Sequence, residues 1–273
     1  MDLLAVDGHV IAPTMRLQLP NPPIIDFTRV GRNKATTFLG LCETHDREIF
    51  EPIDTQSIDV ANPEHLFLLA YRAVHFEVHA TAAAAWLIQL TYQKRVELGY
   101  DPKNDACPAG MLAVTKIAVA FDTYQYKVIF DEMYHTRQFG RLQHDVFVHQ
   151  VDRPTLAASV LFSLDGLWNG NDVVRVCLNV VPLDPRHTAV IVSYIPEDSG
   201  LARADLSDLL NSQGTVQLYQ ISRRLINHSQ NFVLAPDYFD SWPHEKRDTV
   251  LEYFRRTITY NDLGFEHQDL YLF

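Results

Sequence analysis

Residues 62–102 read NPEHLFLLAYRAVHFEVHATAAAAWLIQLTYQKRVELGYDP, and this stretch decides the architecture because it contains one long helix. Asn62 is a good N-cap, and the proline after it suits the first helical position. Apolar residues recur at helical spacing as far as about Glu97, and Gly99 ends the pattern. Because the second half of the helix is apolar nearly all round, we expect the helix to be central and buried.

A different pattern fills the middle of the chain. Four segments rich in Val, Ile, Leu and Phe are separated by turn sequences and cover residues 145–151, 155–164, 173–182 and 188–195. Short turns between such segments predict a four-stranded antiparallel meander. Helical patterns precede and follow these strands, so the order predicts an α+β fold and not an alternating α/β fold.

The remaining segments complete the predicted organisation. A second helix is expected from Pro108 toward Arg137, and the C-terminal third of the chain reads as helical, with an extended linker at residues 231–236. Several prolines interrupt the first 33 residues. We therefore expect residues 1–60 to form an irregular N-terminal segment and residues 61–273 to form a single α+β body.

Composition narrows the classes of function. The 273 residues include 34 acids and 23 bases, a formal charge of −11, and this balance argues against a large nonspecific nucleic-acid footprint or docking on an anionic membrane. Three cysteines without repeating spacing do not make a disulfide framework and fit a reducing compartment. The N-terminus lacks the pattern of a signal peptide. These features predict a soluble, cytoplasmic protein without a membrane partner.

Reactive side chains are most concentrated at Cys42, His45 and Asp46. Cys42-x-x-His45 has the spacing of two zinc ligands, although a structural zinc site needs two more. His45 and Asp46 are the candidate catalytic residues, either as ligands of a divalent ion or as activators of water. A loop held by a buried Cys and a hydrogen-bonded His explains the same residues without metal, as does a reactive Cys-His pair.

Other histidines have a plainer interpretation. His75 and His79 lie four residues apart on the long helix and share a face, but they lack the His-Glu-x-x-His arrangement of zinc proteases. We interpret them as a polar or hydrogen-bonded helix face. His144, His149 and His187 are expected on neighbouring strands, where histidines often make cross-strand polar contacts.

The segment from Ala35 to Ile53, with its Thr-Phe-x-Gly-x-Cys-x-x-His-Asp block, resembles a family of uncharacterised bacterial proteins. A similar Leu-Leu-Ala-Tyr-Arg-Ala helix follows at residues 68–73, and the resemblance covers about the first 80 residues. Longer members carry further Cys and a His ahead of this point, and the full set resembles the treble-clef zinc knuckle of HNH nucleases. The resemblance therefore implies that Cys42 and His45 are half of a knuckle, or that this chain builds its site differently.

Two functions follow as expectations. The first is a non-catalytic binding or interaction protein of a bacterial cytosol, in a setting that includes defence or immunity, with a protein partner favoured over nucleic acid. It rests on the incomplete catalytic motifs and the acidic composition. The alternative is a metal-dependent hydrolase, most plausibly an HNH-like nuclease, with zinc or another divalent metal at Cys42 and His45.

Overall fold

The computed structural model describes residues 2–18, 21–35, 40–170, 172–228, 231–260 and 267–273. Within them, seven strands form one antiparallel sheet in the order β2-β1-β7-β4-β5-β6-β3. The strands are β1 His9–Gln18, β2 Asn21–Gly31, β3 Gln143–Gln150, β4 Leu156–Asn169, β5 Asp172–Asp184, β6 His187–Tyr194 and β7 Phe232–Leu234.

Helices precede and follow the central strands. They are α1 Glu43–Thr55, α2 Pro63–Glu97, α3 Pro108–His135, α4 Ser199–Asp205, α5 Ser207–Leu210, α6 Gly214–His228, α7 Pro236–Asp240 and α8 His244–Tyr260. The α+β class predicted from the order of elements is confirmed. The long helix begins where its cap predicts, because the Asn62 side chain accepts a hydrogen bond from the backbone N–H of Glu64.

Helices cover both faces of the sheet. On β5, Val176 and Leu178 point toward the C-terminal helices and join a core with residues of α6 and α8. Cys177 points to the opposite face, joins the core of α1, α2 and α3, and places its thiol 3.7 Å from the carbonyl oxygen of Ala70. Adjacent residues of a strand point to opposite faces. Both faces of β5 are buried, so most of its residues are apolar.

The prediction that residues 1–60 are irregular is wrong for the described part of that segment. Strands β1 and β2 form a hairpin, β1 pairs with β7 through Ile11 and Leu234, and α1 follows. The prolines are tolerated because β2 is an edge strand, and because β1 pairs with β7 at one register position only. Inside α1, Pro52 removes one helical hydrogen bond, while burial of Phe50 and Ile53 stabilises the helix.

The prediction of a four-stranded meander is wrong in its pairing. Strands β4, β5 and β6 are consecutive neighbours, whereas β3 pairs with β6 and not with β4. The physical reason lies in the connections, since a proline-containing link from residue 151 to residue 155 joins β3 to β4 instead of a tight hairpin turn. The expected linker at residues 231–236 also contains β7, which pairs with β1 and β4.

The prediction that α2 is buried along its whole length is also wrong. Its first half packs against the sheet, but most residues from Ala82 to Leu98 are exposed. In this second half α2 packs against α3, and Tyr92 and Arg95 also contact the loop that joins the two helices. The two helices are antiparallel, because Tyr71 contacts Asp131 whereas Tyr92 lies beside Gly110.

Candidate functional site

The three residues predicted from the motif lie together at the start of α1. Cys42 is the N-cap of that helix, its Sγ lies 3.2 Å from Nδ1 of His45, and the N–H of Asp46 donates to the carbonyl oxygen of Cys42. Cys42 and His45 are exposed. The structure therefore brings the Cys-His pair together on the surface and does not bury either side chain.

No group of three or more His, Cys, Asp or Glu side chains in the described ranges is arranged to hold a metal ion. A pair of ligands alone does not make a structural zinc site. Thr37 and Phe38, which open the block shared with the bacterial family, lie outside the described residues. Zinc binding at Cys42 and His45, and catalysis by His45 and Asp46, stay predictions.

A buried polar network joins α2 to α3 where both helices contact the sheet. The hydroxyl of Tyr71 donates to Asp131 over 2.6 Å, and Lys127 donates to the same carboxylate over 2.7 Å and 2.8 Å. Burial and the hydrogen bond to Asp131 raise the pKa of Tyr71 well above its ordinary value. A tyrosine that stays protonated donates a hydrogen bond and does not act as a base, so the network holds the helices together.

His75 borders this network one turn along α2. It is 4% exposed, and burial lowers its pKa from 6.5 to about 4, with the charge of Lys127 adding to the effect and Asp131 opposing it. Its Nε2 is buried and has no hydrogen-bond partner among the described residues. The predicted polar helix face is therefore buried at this position, and His75 is neutral at neutral pH.

A charged cleft of about 340 Å³ lies between α3 and β5. Arg175, almost fully buried, pairs with Asp122 of α3, and Asp198 accepts a hydrogen bond from the Asn169 amide over 3.1 Å. Burial raises the pKa of Asp198. Because Arg175 pairs with Asp122 and Arg141 pairs with Glu197, we interpret this cleft as a place where ion pairs fasten α3 to the sheet.

The aromatic residues near the C-terminus are structural. Phe239 and Trp242 are buried, and both rings pack against Phe27 of β2 with centroids 5.1 Å and 6.2 Å away. This arrangement fastens the N-terminal hairpin to α7. These aromatics therefore fix a junction between elements.

The most unusual surface runs along the α2–α3 hairpin, from its distal half toward the sheet. Several large apolar side chains there are exposed, including Trp86 at 64%, Val114 at 65% and Phe121 at 62%. We define the distal surface by its members on the two helices: Trp86, Leu90, Val114, Ile117, Phe121, Tyr124 and Val128.

Helical periodicity places these side chains on one side of the hairpin. Toward α2, helix α3 turns a stripe that includes the buried Ala113 and, further along, Asp131, which accepts a hydrogen bond from the hydroxyl of Tyr71 of α2. Residues 114, 117, 121, 124 and 128 lie about a quarter turn away from that stripe. On the antiparallel α2, Trp86 and Leu90 lie about the same angle from the buried Ala85, and therefore on the same side.

This surface was not predicted from the sequence, because an apolar pattern on a helix usually indicates burial. Its signal is present in α3, where Met111, Val114, Ala118 and Phe121 follow the alternating spacing of three and four residues that is typical of helix-helix seams. A single amphipathic helix needs one apolar stripe, but α3 has a second stripe facing away from α2. The second stripe is what indicates a further partner.

Comparisons with known proteins found no matching family, no similar curated protein and no similar solved structure. Within the described part of the chain, the helices are all too short or too polar to cross a membrane.

Proposed function

We propose that this chain is a non-catalytic interaction protein that associates through the distal surface, and that the partner seated there is a second copy of the same chain. The single observation that carries the proposal is the exposure of seven large apolar side chains on one helical hairpin. Contiguous patches of this kind on soluble proteins mark interaction sites.

The size of the surface supports a stable interface. Given that one large aromatic side chain presents about 150–250 Å², the exposed parts of the seven side chains total on the order of 700 Å². The largest apolar patch on a typical monomer is about 300–600 Å². A stable interface buries about 800 Å² on each partner, so the distal surface with its rim reaches the size that a dimer needs.

The charge distribution favours a second copy over an unlike partner. Val78 to Gln93 contains no Asp, Glu, Lys or Arg, and Lys116 is the only such residue from Pro108 to Phe121. The whole chain carries a formal charge of −11, so most other faces of two copies repel each other. An apolar face with few charges is one of the surfaces on which this chain can meet itself without placing like charges opposite each other.

The geometry of the hairpin fits such a pair. Two hairpins that pack their distal surfaces together around a two-fold axis make a four-helix arrangement. The same residues of both copies then form the interface. The bases of both hairpins are held by the sheet, so the helices are ordered before they meet. An ordered surface loses less conformational entropy on association.

The test is the oligomeric state of the wild-type chain and of matched valine variants. Val114 and Val216 are both on helices and are 65% and 62% exposed, but only Val114 belongs to the distal surface. Sedimentation equilibrium is expected to show a wild-type dimer at micromolar concentration, a monomeric Val114→Glu variant and a dimeric Val216→Glu variant. The circular dichroism of all three proteins is expected to be the same.

A monomeric wild type at tens of micromolar would overturn the choice of a second copy. Binding to vesicles of neutral phospholipid or capture of an unlike protein would then identify another occupant of the distal surface. If Val216→Glu dissociates the dimer and Val114→Glu does not, the interface lies on the C-terminal helices and the proposal is wrong.

A further inference from the structure

A second site lies under the first half of α2, and none of its lining residues belongs to the distal surface. A cavity of about 330 Å³ opens between the sheet and the roof made by the end of α1, the following loop and α2. Its floor contains Ser159 of β4 and Asn179 of β5, which are directly opposed residues of neighbouring strands. Small-molecule pockets start at about this volume.

The floor carries polar atoms that nothing satisfies. Asn179 is fully buried, and neither its Nδ2 nor its Oδ1 has a hydrogen-bond partner among the described residues. The Oγ of Ser159 is also shielded from solvent and lacks a partner there. Buried polar side chains in folded proteins are nearly always hydrogen-bonded, so two opposed exceptions at the floor of one cavity indicate a missing partner.

The side chains that line the cavity walls indicate the chemical class of the missing partner. Apolar side chains of α1, the loop and α2 cover the cavity, among them Ile53, Ile58, Leu69 and Phe76. The charged groups at its edge neutralise each other, since both terminal nitrogens of Arg72 donate to Asp54, over 2.7 Å and 2.6 Å. A neutral ligand with flat apolar faces therefore fits better than an anion or a cation.

The Asn179 amide presents a donor and an acceptor side by side. Its complement is a molecule with an acceptor and a donor side by side, such as a primary carboxamide or the amino edge of adenine, which an asparagine bonds through two contacts. We propose that this cavity binds a neutral planar molecule with such an edge, held between the apolar roof and the Ser159–Asn179 floor.

Access requires the roof to move, because Asn179 is fully buried. The Arg72–Asp54 ion pair joins the end of α1 to α2 across the mouth, and both side chains are partly exposed, at 29% and 45%. Ion pairs at this exposure are weak and open readily. Separation of this pair would let the end of α1 lift and admit the ligand to the floor.

The experiment is a ligand-observed NMR titration of the full chain with adenine and with benzamide. Methyl benzoate is the mismatched probe, because it has the same planar aryl carbonyl group as benzamide and a methoxy group in place of the amide donor. We expect at least one matched probe to bind, and methyl benzoate to bind about tenfold more weakly, because the ester leaves the Asn179 acceptor unpaired. Failure of both adenine and benzamide to bind would overturn the proposal.

Variants locate the binding to the cavity floor. Asn179→Leu keeps a similar side-chain volume and removes the unsatisfied atoms, so it is expected to fold and to lose binding by about tenfold or more. Asn211→Leu, an exposed asparagine at the end of α5, is the matched control and should bind normally. Equal binding by Asn179→Leu would show that the probe binds elsewhere and would contradict the proposal.

Ser159→Ala keeps the test decisive if Asn179→Leu does not fold. It removes only the hydroxyl, and we expect it to fold and to weaken binding of the matched probe. Unchanged binding by a folded Ser159→Ala variant would then overturn the proposed floor. None of these variants touches the distal surface, so the dimer and the ligand site can fail separately.

Discussion

The two ends of the α2–α3 hairpin have similar apolar content and opposite surroundings. At the base, Phe67 and Phe130 are fully buried, and their rings stack with centroids 5.8 Å apart. In the distal half, Phe121 is 62% exposed on the same helix as Phe130. An apolar pattern therefore specifies a helix and its faces, whereas the neighbouring elements decide which of those faces are buried.

The largest expected effect separates these two phenylalanines directly. Phe130→Ala leaves a cavity in the core and should lower the free energy of unfolding by about 3–5 kcal/mol. Phe121→Ala should change the unfolding free energy of the monomer by no more than about 0.5 kcal/mol, because the side chain is exposed. Urea denaturation at low protein concentration measures both. Equal destabilisation by the two variants would contradict the difference in burial between Phe130 and Phe121.

The next effect concerns acid stability at the base of the hairpin. Burial lowers the pKa of His75 and of His144 to about 4 in the folded chain, against 6.5 in the unfolded chain. The unfolded chain therefore binds more protons between these values, so stability is fully present above pH 6.5 and falls toward pH 4. Each histidine contributes a slope that approaches about 1.4 kcal/mol per pH unit.

Denaturant unfolding at a series of pH values tests this expectation. His75→Leu removes one of the two groups and should make the decline between pH 6.5 and pH 4 shallower. A variant with the slope of the wild type would show that His75 is protonated in the folded chain. In that case water reaches the side chain of His75 at the base of the hairpin.

A smaller effect distinguishes two tyrosines of the same hairpin. Tyr71→Phe removes the hydrogen bond to the Asp131 carboxylate and should cost about 1.5–3 kcal/mol, reduced by the bonds that Lys127 still makes. Tyr124→Phe removes an exposed hydroxyl and should leave the melting temperature unchanged. Calorimetry of thermal unfolding measures both variants. A larger loss of stability in Tyr124→Phe than in Tyr71→Phe would contradict the structural role of the network.

The smallest expected effect is at the predicted metal pair. Because Cys42 and His45 are exposed, the double change Cys42→Ala/His45→Ala should alter stability by no more than about 0.5 kcal/mol. Elemental mass spectrometry of the untagged chain gives the independent readout. Stoichiometric zinc in the wild type and its loss in the variant would establish the site and direct attention to nuclease assays.

Local chemistry made much of the fold predictable. The cap at Asn62 and the turn at Gly170, which has a φ of +64°, act over a few residues, so their effects can be recognised without knowledge of the rest of the chain. The long helix, the second helix and the central strands follow from such signals and from periodicity. The Cys42–His45 contact arises because one turn of α1 brings residues three apart together, whereas the sequence predicted a loop at this point.

Contacts between distant segments were not predictable in the same way. The pairing of β7 with β1 and β4 joins residues far apart in sequence, and nothing local to either segment names the other. The same holds for the distal surface. Periodicity determined that α2 and α3 have apolar faces, and only the tertiary structure decided where the sheet ends and leaves those faces exposed.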